Sequence, residues 1–591
     1  MVENRSDRNR VAALGVCAAL AALSLLGAAG ARGAEGGLAI TPITDEMLRT
    51  PADADWLMWR RTYNGWGYSP LAQVNNRNVA KLRLVWARAQ PVGIQEGTPL
   101  AYQGMLLMPT PGGGVQAFDA ARGTLKWDYH RAPSPPPSSS SSAGPGVRPA
   151  TAQRALSVYA TNVYATTQDG HIVALDMASG KLVWDTEVLD NQKYPANVSA
   201  GTLVIKGMVV EGRACALRSP PQACVIVALD ANTGKQLWST PTIAGPNDPN
   251  SASWGDVPYD QRHHVSTWML PSYDPTLDLI YFGTSDTSPE PKFLLGGNDR
   301  SHLYHDSTLA LAPATGKIVW YYQHFVDHWD LDSTFERYVV DSAVRPDPKE
   351  VPWINPALKP GERRQVVTGI PSKTGIVYTL DARTGEFLWA RPTTKQTVID
   401  HIDGATGKAI TNPDALFTAV EQKHFLCPSP GGGKDWPAGA YSPITRTMYF
   451  PLQNTCGDFA ATTAAVTVNQ ALTPGESNVG NVFGIAVDTG KTAWKYQQRA
   501  ATTSLVATGG SLLFGGDDAG HFRAFDQKSG RVLWDVNLGA AVSGYPISFA
   551  VAGKQYVAVA TGPSLISGLL MRLTPELETG QGSMLFVFAL P

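Results

Sequence analysis

Charge is scarce in this chain of 591 residues: 17% are Asp, Glu, Lys or Arg, and the formal net charge is −2. Beyond the extreme N-terminus there is no Lys/Arg cluster, so the basic face that a phosphate backbone needs is missing and nucleic acid is excluded as a ligand. Cysteine is sparse too, with five residues and none in a CxxC or CxxCH spacing, which argues against structural zinc and covalently attached haem. No GxGxxG stands between a strand and a helix. Gly112–Gly114 and Gly431–Gly433 read as turns, and a nicotinamide enzyme is discarded.

What the chain does contain begins with a leader. Arg5, Arg8 and Arg10 precede an uncharged Ala/Leu run from Val11 to Ala31, and Ala29-Gly30-Ala31 offers a small-x-small cleavage site. Residues 1–34 therefore read as a signal peptide for export to the periplasm; a retained anchor is the alternative reading, since the run could just span a bilayer. Export leaves Cys215, Cys224, Cys427 and Cys456 in an oxidising compartment. Proximity suggests the disulfides Cys215–Cys224 and Cys427–Cys456.

Glycine (57), proline (43) and tryptophan (16) are abundant, as many turns between short strands require. One pattern, A-x-D-x-x-T/S-G-x-x-x-W, ends at Trp127, Trp184, Trp238, Trp320, Trp389 and Trp534, with a shortened copy ending at Trp494. In each, an alternating apolar run meets an Asp able to bond its own backbone. Gly then supplies the positive φ of a turn, and a second alternating run ends in Trp. Further hairpins precede several copies, as in NVYATTQDGHIVALD (162–176), so each unit is an antiparallel meander of three or four strands. Such a sheet cannot bury both faces alone. Radial stacking gives an all-β propeller with the Trp rings wedged between neighbouring sheets. An eighth blade closes from both ends if LRLVWARA (82–89) pairs with SMLFVFALP (583–591). The expected organisation is one eight-bladed domain over 35–591, with four-stranded antiparallel blades and a flexible Pro/Ser loop at 132–149.

From about Trp56 to Pro591 the chain resembles the quinoprotein alcohol dehydrogenases, eight-bladed propellers that hold pyrroloquinoline quinone (PQQ) and a metal ion. WRRTYNGWGYSPL, YDPTLDLIYFGTSDTSP (273–289), VWYYQHFVDHWDLD (319–332) and GYPISFAVAGKQYVAVATG (544–562) carry the resemblance. It implies cofactor contacts from Glu96, Arg154, Ser199, Trp268, Lys373 and Asn454. Arg154 would pair with cofactor carboxylates through charge-assisted bonds, Trp268 would support the planar ring system, and Lys373 would contact the reactive carbonyls. Cys427 and Cys456 match a family disulfide. Asp330 matches the general base. Asp286, Asp330 and Asp332 are three hard oxygen donors suited to Ca²⁺, and the second Asp at +2 resembles members that use a lanthanide.

The chain also departs from that pattern. The aligned position of the family's metal-binding Glu is Leu217, and Glu211, six residues earlier, is not assigned its role. A pair of adjacent cysteines beside the cofactor is absent. The expected activity is oxidation of an alcohol or aldehyde hydrate, with electrons passing to a separate acceptor such as a cytochrome c or a quinone because no haem domain is attached. The alternative is a non-catalytic propeller serving as an envelope binding or assembly scaffold.

Overall fold

A computed structural model describes residues 39–131 and 152–591; the signal segment and most of the Pro/Ser loop lie outside the described residues. Among those residues only Asp45–Arg49 and Ser567–Leu570 are α-helical. Eight sheets of four or five strands follow in chain order, spanning 100–129, 157–187, 203–241, 272–323, 338–392, 440–498, 502–537 and 547–589, antiparallel apart from the short strand Tyr68–Ser69 that pairs parallel to Thr502–Thr508. The eighth receives its outer strand, Arg83–Ala89, from the other end of the chain, paired antiparallel to Met584–Ala589 with Trp86 opposite Val587. First and last segments thus lock the ring, as the sequence leads one to expect.

Six of the eight junctions between blades share one repeated contact. The indole N–H of Trp86, Trp127, Trp184, Trp238, Trp320 and Trp494 donates to a backbone carbonyl in the turn of the following blade, over 2.8–3.2 Å. The same ring lies flat against the glycine of that turn. A Cβ on Gly123, Gly180, Gly234, Gly316, Gly385 or Gly530 would fall 2.4–2.7 Å from the Trp ring. These glycines also hold φ between 68 and 74°, so two independent constraints, backbone conformation and contact, select Gly there. Between blades five and six, Val351 occupies the space at Gly490 and Trp389 stands 3.2 Å off. Blade seven meets blade eight through Trp534 and Phe588, whose ring centroids are 5.4 Å apart. Burying rings of this size is worth ~2–3 kcal/mol each before entropy. Ala312, the one turn lacking Asp, closes through the backbone bond from Gly316 N–H to Ala312 C=O (2.8 Å).

A second device works across the ring. Residues 43–67 run past the inner strands and bond to the backbone of every blade: Ile43 to Ala160, Trp56 to Ala101, Ala54 to Ala550, Tyr63 to Tyr273 and Val204, Asn64 to Val339, Trp66 to Tyr441, and Gly67 to Ala507. This gives the WRRTYNGWGYSPL signature a structural role.

In a four-stranded meander, the first–second and third–fourth turns share one rim. The second–third turn and the passage to the next blade share the other. The Asp–Gly turns of the repeat all belong to the first rim. The second rim receives the long loops 90–99, 188–202, 213–224, 242–271, 284–306, 324–337, 370–375, 393–439 and 454–479, with the stretch that ends in Arg154. Two disulfides brace it. Cys215–Cys224 (Cα–Cα 5.0 Å) closes one loop, and Cys427–Cys456 (4.1 Å) ties two together.

Gly385→Ala should lower stability by ~2–4 kcal/mol in urea unfolding, combining left-handed strain with overpacking against Trp320. Gly361→Ala is the control: φ is +86° but no atom lies within 4 Å of the added Cβ, so only strain remains, ~1 kcal/mol. Equal losses in the two variants would contradict the docking role.

Candidate active site

Every residue singled out in the sequence lies on a loop of the second rim, and most of them meet. Arg154 is the hub of one half. Its Nη2 pairs with Glu96 (2.6 Å) and its Nη1 donates to Ser199 Oγ (2.8 Å). Its guanidinium lies over the rings of Trp268 (5.1 Å) and Trp436 (5.7 Å). The other Glu96 oxygen accepts from Leu565 N–H (2.9 Å). A buried ion pair costs desolvation, which close geometry and additional hydrogen bonds offset; here both are present. Arg154 Nε and Trp436 Nε1 are buried with no acceptor, so this half still presents N–H groups to an incoming acceptor.

The other half is acidic. Asp286, Asp330 and Asp332 each bring one carboxylate oxygen within 4.8 Å of the other two. Lys373 Nζ bonds Asp330 and lies 3.1 Å from Asp332. Burial alone would favour a neutral amine at Lys373, but Asp330, Asp332 and Asp435 outweigh it and hold the ammonium well above the ordinary lysine range. Asp330 is pushed up by burial, with Lys373 opposing and Asp332 reinforcing the rise. The Asp330 side chain nevertheless keeps 47% of its surface exposed. Asp286, by contrast, is 2% exposed.

Two residues the sequence did not single out adjoin Asp286. His264 Nδ1 is 3.2 Å from Asp286 Oδ1. Burial disfavours the imidazolium, but Asp286, Asp332 and Asp330 outweigh this and raise its pKa. Glu290 also adjoins Asp286; burial and that neighbour push Glu290 well above the carboxylate range. A third such residue, Asp435, precedes Trp436 and faces Lys373; burial raises it to about 7. Asp435 and Trp436 thus face the two halves from consecutive positions. Their sequence signal is an Asp beside a Trp, as in HWD.

The remaining positions are less central. Asn454 donates its amide to Asn478 C=O (2.9 Å) and its own C=O accepts from Thr473 N–H (3.2 Å); no contact ties it to Lys373. Leu217 is 57% exposed. Glu211 is buried with both oxygens unpartnered, and its charged neighbour is Arg213.

Residues 56–401 and 481–557 match the family described as "PQQ: Glucose/ethanol/alcohol dehydrogenase, beta-propeller domain". The chain belongs to this family. It is 30% identical over 557 residues to the dehydrogenase subunit of the quinone alcohol dehydrogenase of Gluconobacter oxydans (strain 621H), covering 86% of this chain and 70% of that one. It is 29% identical to the lanthanide-dependent methanol dehydrogenase of Methylacidiphilum fumariolicum (strain SolV), over 89% and 87%. Among solved structures, a europium-containing methanol dehydrogenase superposes with a TM-score of 0.80 at 26% identity, covering 93% of this chain and all of that one. The protein is accordingly a PQQ-dependent dehydrogenase acting on CH–OH donors, with a metal ion, either Ca²⁺ or a lanthanide.

The residues present fit both groups. Both Asp286 oxygens and Asp332 Oδ1 are buried without a hydrogen-bond donor, and together with Asp330 these carboxylates would form a hard-oxygen cradle for a cation. The free N–H groups of Arg154 and Trp436 and the Trp268 ring suit a planar polyanion.

Burial, only partly opposed by Arg213, pushes Glu211 up to about 7. The folded state thus binds a proton that the unfolded state has lost between about pH 4.5 and 7, and stability from this group falls as pH rises through that window. Glu211→Gln should remove the loss: urea unfolding at pH 5 and pH 8 should show the variant gaining on wild type at pH 8 by on the order of 2–3 kcal/mol. A pH-independent difference would contradict the assignment.

Proposed function

We propose that Asp330 is the general base that takes the hydroxyl proton of an alcohol or aldehyde hydrate. The observation that carries this is the convergence of Asp286, Asp330 and Asp332 with Lys373, in which Asp330 alone keeps a substantially exposed carboxylate. A base must reach the proton it removes, and Asp330 is placed to do so. Bound PQQ supplies the hydride acceptor, and the bound cation supplies Lewis acidity.

The chain's own groups have separable tasks in this reading. Glu96 and Ser199 fix the guanidinium of Arg154, so that it meets cofactor carboxylates already oriented. Trp268 supports the ring face, and Asn454 contributes from the loop that follows strand Thr447–Gln453. Lys373 sets the charge balance beside Asp330 and stabilises negative charge that develops on an oxygen near it. Asp286 and Asp332 are ligands to the cation, with Asp330 as the third. The electron acceptor is a separate cytochrome c or quinone. Two disulfides agree with a periplasmic location.

Two measurements test the assignment on protein reconstituted with PQQ and Ca²⁺ or La³⁺. Asp330→Asn should lower dye-linked turnover of an alcohol panel by at least about 10³-fold, with the thermal midpoint retained; unchanged turnover removes Asp330 as base. Asp332→Ala should weaken La³⁺ binding in a calorimetric titration by about 10-fold more than Ca²⁺ binding, because removing one charged oxygen matters more to a trivalent ion. Equal losses for the two ions would sink the ligand role given to Asp332.

A further inference from the structure

The loop that carries Asp330 has no regular structure, yet the backbone N–H groups of the residues on either side of Asp330 are held by one side chain. Asp327 Oδ1 accepts from Trp329 N–H (3.0 Å), and Asp327 Oδ2 accepts from Leu331 N–H (2.7 Å). The carboxylate is 3% exposed, so water offers little competition for either bond. Asp327 is itself fixed: its N–H donates to His305 Nε2 (3.1 Å), and His305 Nδ1 lies 3.1 Å from the His302 carbonyl. These partners place the imidazole proton on Nδ1. Packing holds the other side, with the Trp329 ring against Phe417 (5.8 Å) and Phe459 (5.6 Å).

We propose that Asp327 is a positioning residue for the base, fixing Asp330 through the backbone N–H groups of the residues on either side of it, Trp329 and Leu331. The proposal rests on Asp330 being the base. Its logic is geometric. A carboxylate has two acceptor oxygens, and here each is assigned to a different peptide N–H, one before and one after Asp330. Neither plane can rotate without breaking a buried bond, and an unpaired buried N–H is costly. The open carboxylate of Asp330 therefore projects from a clamped backbone. Among the described residues no hydrogen bond or ion pair joins Asp327 to Arg154, Glu96 or Ser199, so its effect should fall on turnover and not on cofactor uptake.

Asn is the informative replacement because it keeps the shape, retains one acceptor and turns an N–H₂ toward the second amide. In Asp327→Asn, kcat should fall about 100-fold, the scale of a displaced reacting group. KM should stay within about threefold and PQQ affinity within about twofold. Hydrogen exchange in peptides covering 325–337 should speed up at least about 10-fold, with other rim loops unchanged. D330N is measured alongside. An inactive D330N with D327N at wild-type kcat overturns the positioning role, and so does unaltered exchange at 325–337. An active D330N removes the base assignment instead, while the exchange result still decides whether Asp327 holds the loop. Should D327N fail to fold, D327S, which fits the space and keeps one acceptor, is measured in the same way.

Discussion

The ring depends on a flat contact between an indole and a turn with no Cβ. Each docking Trp buries its face on the glycine of the next blade and gives its N–H to that blade's backbone, so apolar area and polar satisfaction are achieved at one place. A sheet of four strands has two faces to cover, and this contact covers them with its neighbours. The strap at 43–67 adds a second constraint by bonding the inner strands in common. Outer and inner circumferences are therefore fixed separately. That rigidity is what lets irregular loops hold reacting groups in place.

With the Asp–Gly turns confined to one rim, the other is free to vary, and nearly all the unusual electrostatics gather there. Arg154–Glu96 and Lys434–Glu336 are ion pairs with almost no exposed surface, at 2.6 and 2.7 Å. The second pair anchors the loop that delivers Asp435 to one half of the site and Trp436 to the other. Three carboxylates, two of them buried, stand beside one ammonium and one imidazole and leave an excess of negative charge. A cation answers that imbalance, and the departure at Leu217 does not remove it, since Asp286 supplies a charged oxygen from the opposite loop.

The scaffold was legible because its rules are local. An Asp, a Gly and a Trp at fixed spacing describe a turn and a docking ring within eleven residues, and the repeat makes them visible. Trp86 was harder to see as a docking residue. It sits on a strand contributed from the N-terminal side, with no Asp–Gly turn of its own before it, although its pairing with the last strand was readable from the apolar runs. At the site, Arg154, Glu96, Ser199 and Trp268 come together as resemblance implied. Asp286, Asp330 and Asp332 converge likewise. His264, Glu290 and Trp436 escaped notice because their positions depend on how long loops fold back, which no periodicity encodes. Asn454 shows the converse: aligned with a cofactor contact, it finds its hydrogen bonds within its own loop. Asp327 was in plain view inside FVDHWDLD, but its role lies in two backbone bonds that spacing alone does not reveal.

The central claim is that one rim of a rigid ring assembles a cation cradle from Asp286, Asp330 and Asp332. Anomalous scattering from crystals of the protein grown with PQQ and La³⁺ tests it most directly. A single strong peak about 2.5 Å from one oxygen of each of the three carboxylates is the predicted result. No peak there, or a peak coordinated by other residues, would contradict it.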